Sequence, residues 1–468
     1  MGSAGGPTTG QRPTAPRPKS GAVAKPAQQT PAGPVNADGE DYSGPMLPKD
    51  FVPPRPIPDI MSEASIKELL TPEAEKVLFQ ELQKLKFTSV LTSGDFSEEN
   101  KKVLDKTARY YVHQMTQRKY YFPLPPPAPA PGSPPAAPPK KPATTIIDLR
   151  ERLARDANNS GSRMRNNDAA QARKFREYYM KQVVARLEEL LDGHFHVRNN
   201  AVILMGELVV DGDEPFTDAI KPLLKVLTDK DQPDSIKIHA ARGIGRIALK
   251  GKPNAQTKLD IGLALVGELQ RKDAHYWYQW RVAEALGMLD SVLDQAQKPF
   301  IAQSLGEVVI DDTRHCLVRA EAARSLGRIP HKPDINVSLV AFEVARFAQN
   351  LSDKYNQNPT NPEWKYCFER VYLAFKPQDQ AGVDRQDGLL TKVDKGPLAK
   401  HKPIVNEAYA LTLPLFRHVF DPKSNGVAFP AKLTEPLDDW LQKKRPEDNR
   451  VAPTLKPLVA AQQPTSPQ

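Results

Sequence analysis

The sequence has very little cysteine and few aromatic residues. Its 468 residues include only two cysteines, Cys316 and Cys367, and no CxxC pair. This excludes a disulfide framework and a zinc ribbon, so both thiols are expected to pack as small apolar groups. Aromatic residues make up 7% of the chain, and no apolar run reaches the ~18 residues of a transmembrane helix. The composition therefore predicts no membrane span.

The first residues, Met1 to Gly6, lack the apolar stretch of a signal peptide. This favours a cytoplasmic location, although export stays open if the true N-terminus is missing.

The region expected to fold also has no strong excess of positive charge, which a nucleic-acid-binding surface would need. The net charge is +9, but residues 193–330 carry 18 basic and 18 acidic side chains. A surface that binds a duplex should collect basic charge in its folded part. The distribution therefore makes nucleic acid an unlikely partner.

Proline, in contrast, is abundant, with 46 residues that concentrate in two blocks. Residues 1–58 contain 13 prolines, and a linker at 123–148 contains another dense run. Neither block has a periodic apolar face, so we predict disorder for both and for a tail at 446–468. An SH3-type ligand is an alternative interpretation of either Pro-rich block.

A small helical module is predicted between these blocks, at residues 59–122. Thr71 followed by Pro72 has the form of a helix start, as does Ser97 followed by two glutamates. Ser65 with Glu68 resembles a capping box and predicts another start. The module is marginal alone, so we expect it to dock on another part of the chain.

Residues 149–169 form a basic polar connector, within an Arg-rich stretch that continues to residue 176. We expect a solvated helix and loop leading into the next region. A phosphate-binding arm is the alternative.

Four segments then align without gaps on a glycine, with spacings of 39, 42 and 40 residues. These repeat glycines are Gly206, Gly245, Gly287 and Gly327. An amphipathic helix precedes each segment, at residues 179–191, 216–227, 259–269 and 300–310. Residues 335–351 and 364–375 form a fifth, degenerate pair. A loop is expected at 377–402 and a C-terminal helical cap at 403–445.

The period lies in the range of HEAT and armadillo repeats, and the segments resemble the HEAT family in detail. That family carries an Asp in the turn of a repeat and a basic residue early in the second helix. Here Asp192 with Arg198, Asp231 with Lys237, and Asp312 with Arg319 match, whereas Gln279 replaces the base after Asp273. The resemblance implies an all-α solenoid of about five helix pairs over residues 170–376. It also implies that these pairs form a ladder bracing neighbouring turns.

Catalytic relatives of this architecture provide two tests. HEAT-like metal hydroxylases use His-Glu pairs, and no histidine here is followed by glutamate. HEAT-like DNA glycosylases combine aromatic and acidic residues, which the run from His275 to Arg281 partly supplies. The neutral charge balance argues against that interpretation. We therefore predict no catalytic residues, no cofactor and no metal.

The remaining hypothesis is a non-catalytic scaffold that binds a protein partner, still unidentified, on its concave face. Trp277, Arg281 and Glu284 fall on the helical stripe opposite the buried one and are therefore predicted to share that face. An exposed Trp flanked by Arg residues also matches the composition of binding hot spots. The aligned surface column in the other repeats contains His239, Arg242, Glu321 and Arg324. In the competing interpretation, Trp277 packs against the loop near residue 290. A nucleic-acid-binding solenoid and an unrecognised enzyme are the alternative functions.

Overall fold

The computed structural model describes residues 62–122, 144–164, 168–290, 292–376 and 387–459. Within these ranges the chain forms 17 α-helices and one short hairpin, so the all-α prediction is confirmed. No helix in the described ranges is both long and apolar enough to cross a membrane. The predicted disorder at 1–58, most of the 123–148 linker and residues 460–468 lie outside the described residues.

The N-terminal segment contains three helices. They are α1 (Pro72–Lys84), α2 (Phe87–Ser93) and α3 (Glu98–Gln114). Thr71 and Ser97 cap α1 and α3 as predicted, each hydroxyl accepting from a backbone N–H at 3.3 Å. The start predicted at Ser65 is wrong. Ser65 ends a 3-10 turn, and its hydroxyl donates to the carbonyl of Ser62 at 2.7 Å.

The next two helices, α4 (Ile146–Asn158) and α5 (Ala169–Glu188), join the N-terminal segment to the rest of the chain. Helix α3 packs on α5, and His113 Nε2 lies 2.8 Å from Glu189 Oε2. Helix α4 is not simply a solvated connector, because Leu149 and Leu153 are buried. Two of its arginines also contact the fold, because Arg150 donates to Asn200 and Arg152 donates to the hydroxyl of Tyr111, both at 3.1 Å.

Five helix pairs follow one another along the chain. The first helices of the pairs are α5, α7 (Ile220–Thr228), α9 (Ala255–Leu269), α11 (Phe300–Ile310) and α13 (Val337–Gln357). The second helices are α6 (Phe195–Glu207), α8 (Asp234–Lys250), α10 (Tyr276–Leu286), α12 (Cys316–Arg328) and α14 (Glu363–Phe375). An antiparallel hairpin of β1 (Val209–Asp211) and β2 (Glu214–Pro215) lies between α6 and α7. From α6 to α14, each second helix packs against the next in chain order.

The repeat glycines explain how closely the second helices approach. Each repeat glycine contacts a small residue on the next second helix. In the first three contacts, this small residue lies two positions before the repeat glycine of the helix that carries it. A Cβ atom added to Gly206 would lie 2.9 Å from the Cα of Gly243, and one added to Gly245 would lie 3.2 Å from the Cα of Ala285. For Gly287 the distance to the Cα of Ser325 is 3.0 Å, and for Gly327 the distance to the Cα of Ala374 is 2.8 Å. Ordinary carbon contacts need about 3.5–4.0 Å. The glycine period of the sequence is therefore a period of backbone contact.

The predicted Asp–Arg ladder does not form with those partners. Asp192, Asp231 and Asp312 are exposed and make no ion pair with the predicted bases. The bases are buried and find other acceptors. Arg198 donates to Gln232 at 3.0 Å, Lys237 pairs with Glu268 at 3.4 Å, and Arg319 donates to the carbonyl of Val309 at 2.9 Å. A buried cation needs an acceptor inside the fold, and the turn aspartates point outside it.

Three of the second helices begin at a histidine. The Nδ1 atoms of His194, His275 and His315 accept from the backbone N–H two residues later, at 3.2, 3.2 and 3.3 Å. An accepting Nδ1 carries no proton, so these contacts require neutral imidazoles.

The C-terminal region packs back on the fifth pair. It contains α15 (Leu389–Lys392), a 3-10 helix (Gly396–His401), α16 (Lys402–Phe420) and α17 (Ala431–Lys443). Helix α16 contacts α13 and α14. Residues 446–459 belong to the predicted disordered tail, but they are packed. Val451 and Ala452 are fully buried, and the carbonyl of Val451 accepts from the N–H of Asn336 at 2.8 Å.

Candidate functional site

A groove of about 310 Å³ runs across the second helices α6, α8 and α10. Gly206 and Gly243 lie in it, because their missing side chains leave space where α6 and α8 meet. Apolar atoms of Ile203 and Met288 contribute to its walls. Its ionisable side chains are Glu207, His239, Arg242, Arg246, Arg281 and Glu284. We call this feature the second-helix groove.

Two of the arginines in the groove are held by neighbouring groups. Arg281 Nη1 donates to Glu284 Oε2 at 2.7 Å, and its guanidinium lies 4.0 Å from the centre of the Trp280 ring. Arg246 Nη1 donates to the carbonyl of Gly206 at 2.6 Å. Burial lowers the pKa of Arg246. These contacts fix the positions of both guanidinium groups against the groove wall.

Arg242 and His239 are less constrained. Arg242 is exposed, and it has no ion-pair or hydrogen-bond partner within the described part of the chain. His239 is half-buried, and burial together with the charges of Arg242, Arg150 and Arg281 lowers its pKa to about 4. The imidazole is therefore uncharged at neutral pH.

The structure brings four of the seven predicted site residues together in the groove: His239, Arg242, Arg281 and Glu284. Trp277 is not among the residues that line it. Its half-buried ring lies near the start of α10, edge-on to His275 and Tyr276 with ring centres 6.0 and 6.1 Å away.

The predicted exposure of Glu321 and Arg324 is wrong. Glu321 has no exposed surface, and Arg324 is 6% exposed. The Glu321 carboxylate accepts from Arg324 at 2.7 Å and from Trp280 Nε1 at 3.3 Å, and it forms an ion pair with Arg370 Nε at 2.9 Å. Tyr366 also donates to it. Burial opposes ionisation of this carboxylate, but the two guanidinium groups hold its pKa below the ordinary value.

The alignment failed here because α14 packs on α12 and places Arg370 and Tyr366 over this face. On α8 and α10 the side chains aligned with Glu321, which are His239 and Arg281, remain half-exposed.

The sequence prediction missed the residue that directly follows each repeat glycine. Glu207, Arg246 and Met288 occupy this position in the first three repeats, and all three line the groove. Arg328 occupies it in the fourth repeat and is buried, and its Nη1 has no hydrogen-bond partner in the described ranges. The constant offset from the glycine was the signal that identifies them.

Among the described residues, no group of three or more His, Cys, Asp and Glu side chains is placed to hold a metal ion. No protein-family model matches the chain, and no curated protein or solved structure shows significant similarity to it. The geometry of the groove is therefore the main guide to function.

Proposed function

We propose that this chain is a HEAT-type α-solenoid that serves as a non-catalytic scaffold and binds a partner protein in the second-helix groove. The repeating contact between each glycine and the next second helix supports the solenoid, because stacked helix pairs bury the apolar faces that a single pair would leave exposed. A buried contact between neighbouring pairs, in which Arg198 of α6 donates to Gln232 before α8 at 3.0 Å, supports the same architecture.

The composition of the groove is the observation that supports binding. It combines apolar walls that include Met288 with three guanidinium groups, and both Met and Arg are enriched at protein interfaces. We therefore propose recognition as its role.

Site-specific photo-crosslinking tests this proposal in the full chain. A benzoylphenylalanine would replace Glu207, which lines the groove and whose side chain is 47% exposed. The matched control replaces Leu263, which is 51% exposed on α9, a first helix. We expect a discrete protein adduct from position 207 and none from 263. Equal labelling from both positions, or none from either, would contradict the proposed binding surface.

A further inference from the structure

The charges in the second-helix groove do not cancel. Arg281 is paired with Glu284 at 2.7 Å, and Arg150 Nε lies 3.6 Å from Glu207 Oε2. Arg242 and Arg246 make no ion pair within the described ranges. Arg246 donates to a backbone carbonyl, and the charges of Glu207 and Asp213 act on it only from a greater distance. Two guanidinium groups, one turn apart on α8, therefore have no carboxylate in direct contact with them.

His239 lies in the same positive environment. After burial, the causes that lower its pKa are three arginines from three helices: Arg242 on α8, Arg150 on α4 and Arg281 on α10. The positive charge thus reaches the groove from several sides. An anion bound there would offset it and favour the protonated imidazole.

We propose that the second-helix groove recognises an acidic segment of its partner protein, with an Asp or Glu carboxylate bound between Arg242 and Arg246. This inference rests on the proposed scaffold function and specifies its ligand. A guanidinium donates two parallel N–H bonds to one carboxylate, which gives both strength and orientation. The apolar atoms of Ile203 and Met288 offer contact to a neighbouring apolar side chain of the same segment.

A peptide fits this groove better than a nucleic acid does. Glu207 and Glu284 also line it, and they would face the closely spaced phosphates of a nucleic-acid backbone. A peptide can place a single carboxylate at the unpaired arginines and uncharged residues at the glutamates.

The test is a selection from a random-peptide display library on the immobilised full chain. Three forms serve as bait: the unchanged protein, Arg242→Gln, and the matched control Arg109→Gln, which removes the same charge from an exposed position on α3. We expect Asp- and Glu-rich peptides from the unchanged protein and from Arg109→Gln. Arg242→Gln should lose that enrichment and bind the best peptide about tenfold more weakly.

Neutral or basic selected sequences, no enrichment at all, or equal results with the two variants would overturn the proposal. Duplex DNA that binds more tightly than the best peptide, and depends on Arg242, would also overturn it and point to phosphate recognition. Because Arg242 is exposed, its replacement should leave the circular dichroism spectrum unchanged.

A second readout uses His239, whose ring proton is observable by NMR. Addition of the selected peptide should raise its pKa, because the bound carboxylate offsets the arginine charges. An unchanged pKa would place the peptide elsewhere. If photo-crosslinking from position 207 succeeds while acidic selection fails, the surface is right and the acidic ligand is wrong. If crosslinking also fails, the scaffold function fails with it.

Discussion

Replacement of Gly327 by alanine should destabilise the protein, although the same change normally stabilises a helix. In an exposed helix, alanine is better than glycine by up to about 1 kcal/mol. At position 327 the new Cβ would meet the carbonyl oxygen of Ala374 and lie 2.8 Å from its Cα. All of these contacts are with backbone atoms of α14, so no side-chain rotation relieves them.

The structure also provides a matched control. Gly267 lies near the end of α9, as Gly327 does in α12, and it has no atom within 4 Å of the added Cβ. There only the helix propensity acts, so Gly267→Ala should stabilise the protein slightly. For Gly327→Ala, α12 and α14 must move apart, and such overpacking costs about 1–3 kcal/mol. The free energies of unfolding should differ by about this amount.

Urea unfolding followed by circular dichroism measures both variants against the unchanged chain. The reasoning is refuted if the two substitutions have the same effect, because α12 and α14 would then not be in backbone contact at Gly327. A change in the slope of the transition would indicate that cooperativity between helix pairs has been lost.

Three further predictions concern charge and packing. Glu321→Gln should cost about 3 kcal/mol or more, because it leaves buried guanidinium groups uncompensated. The control Glu188→Gln, at an exposed position on α5, should change urea stability little, and equal losses would contradict the buried network. The pKa of His315, lowered to about 4 mainly by burial, means that its stabilising contribution is complete above about pH 6.5 and is lost as the pH falls towards 4. His315→Asn keeps a cap that does not titrate, so between about pH 7 and pH 4.5 its free energy of unfolding should fall by about 1 kcal/mol less than that of the unchanged protein, after solvent screening. Urea unfolding at several pH values measures this, and parallel pH dependences would contradict it. Trp277→Ala should lower stability by about 1–3 kcal/mol, because its ring is half-buried. Crosslinking from position 207 should stay intact, because the ring lies outside the groove; weakened crosslinking with unchanged melting would instead indicate that Trp277 belongs to the binding surface.

Local features of this protein were predictable because local residues determine them. Thr71 and Ser97 cap their helices through their own hydroxyls, whatever the rest of the chain does. The glycine period was also visible, because every repeat must present a small residue at the same contact. Ser65 shows the limit of such motifs, since a capping pattern has no effect where no helix follows.

Burial at equivalent repeat positions was decided by tertiary structure alone. His239, Arg281 and Glu321 all lie six residues before a repeat glycine, so the alignment predicted equal exposure. The first two line an open groove, whereas Glu321 is covered by side chains of α14. The packing of the segment at 446–459 has the same origin, because it depends on contacts far away in the sequence: Val451 and Leu458 lie beside Gly306 of α11, and the carbonyl of Val451 accepts from Asn336 at the start of α13. A sequence period specifies which positions are equivalent, but the exposure of each depends on the neighbour that packs against it.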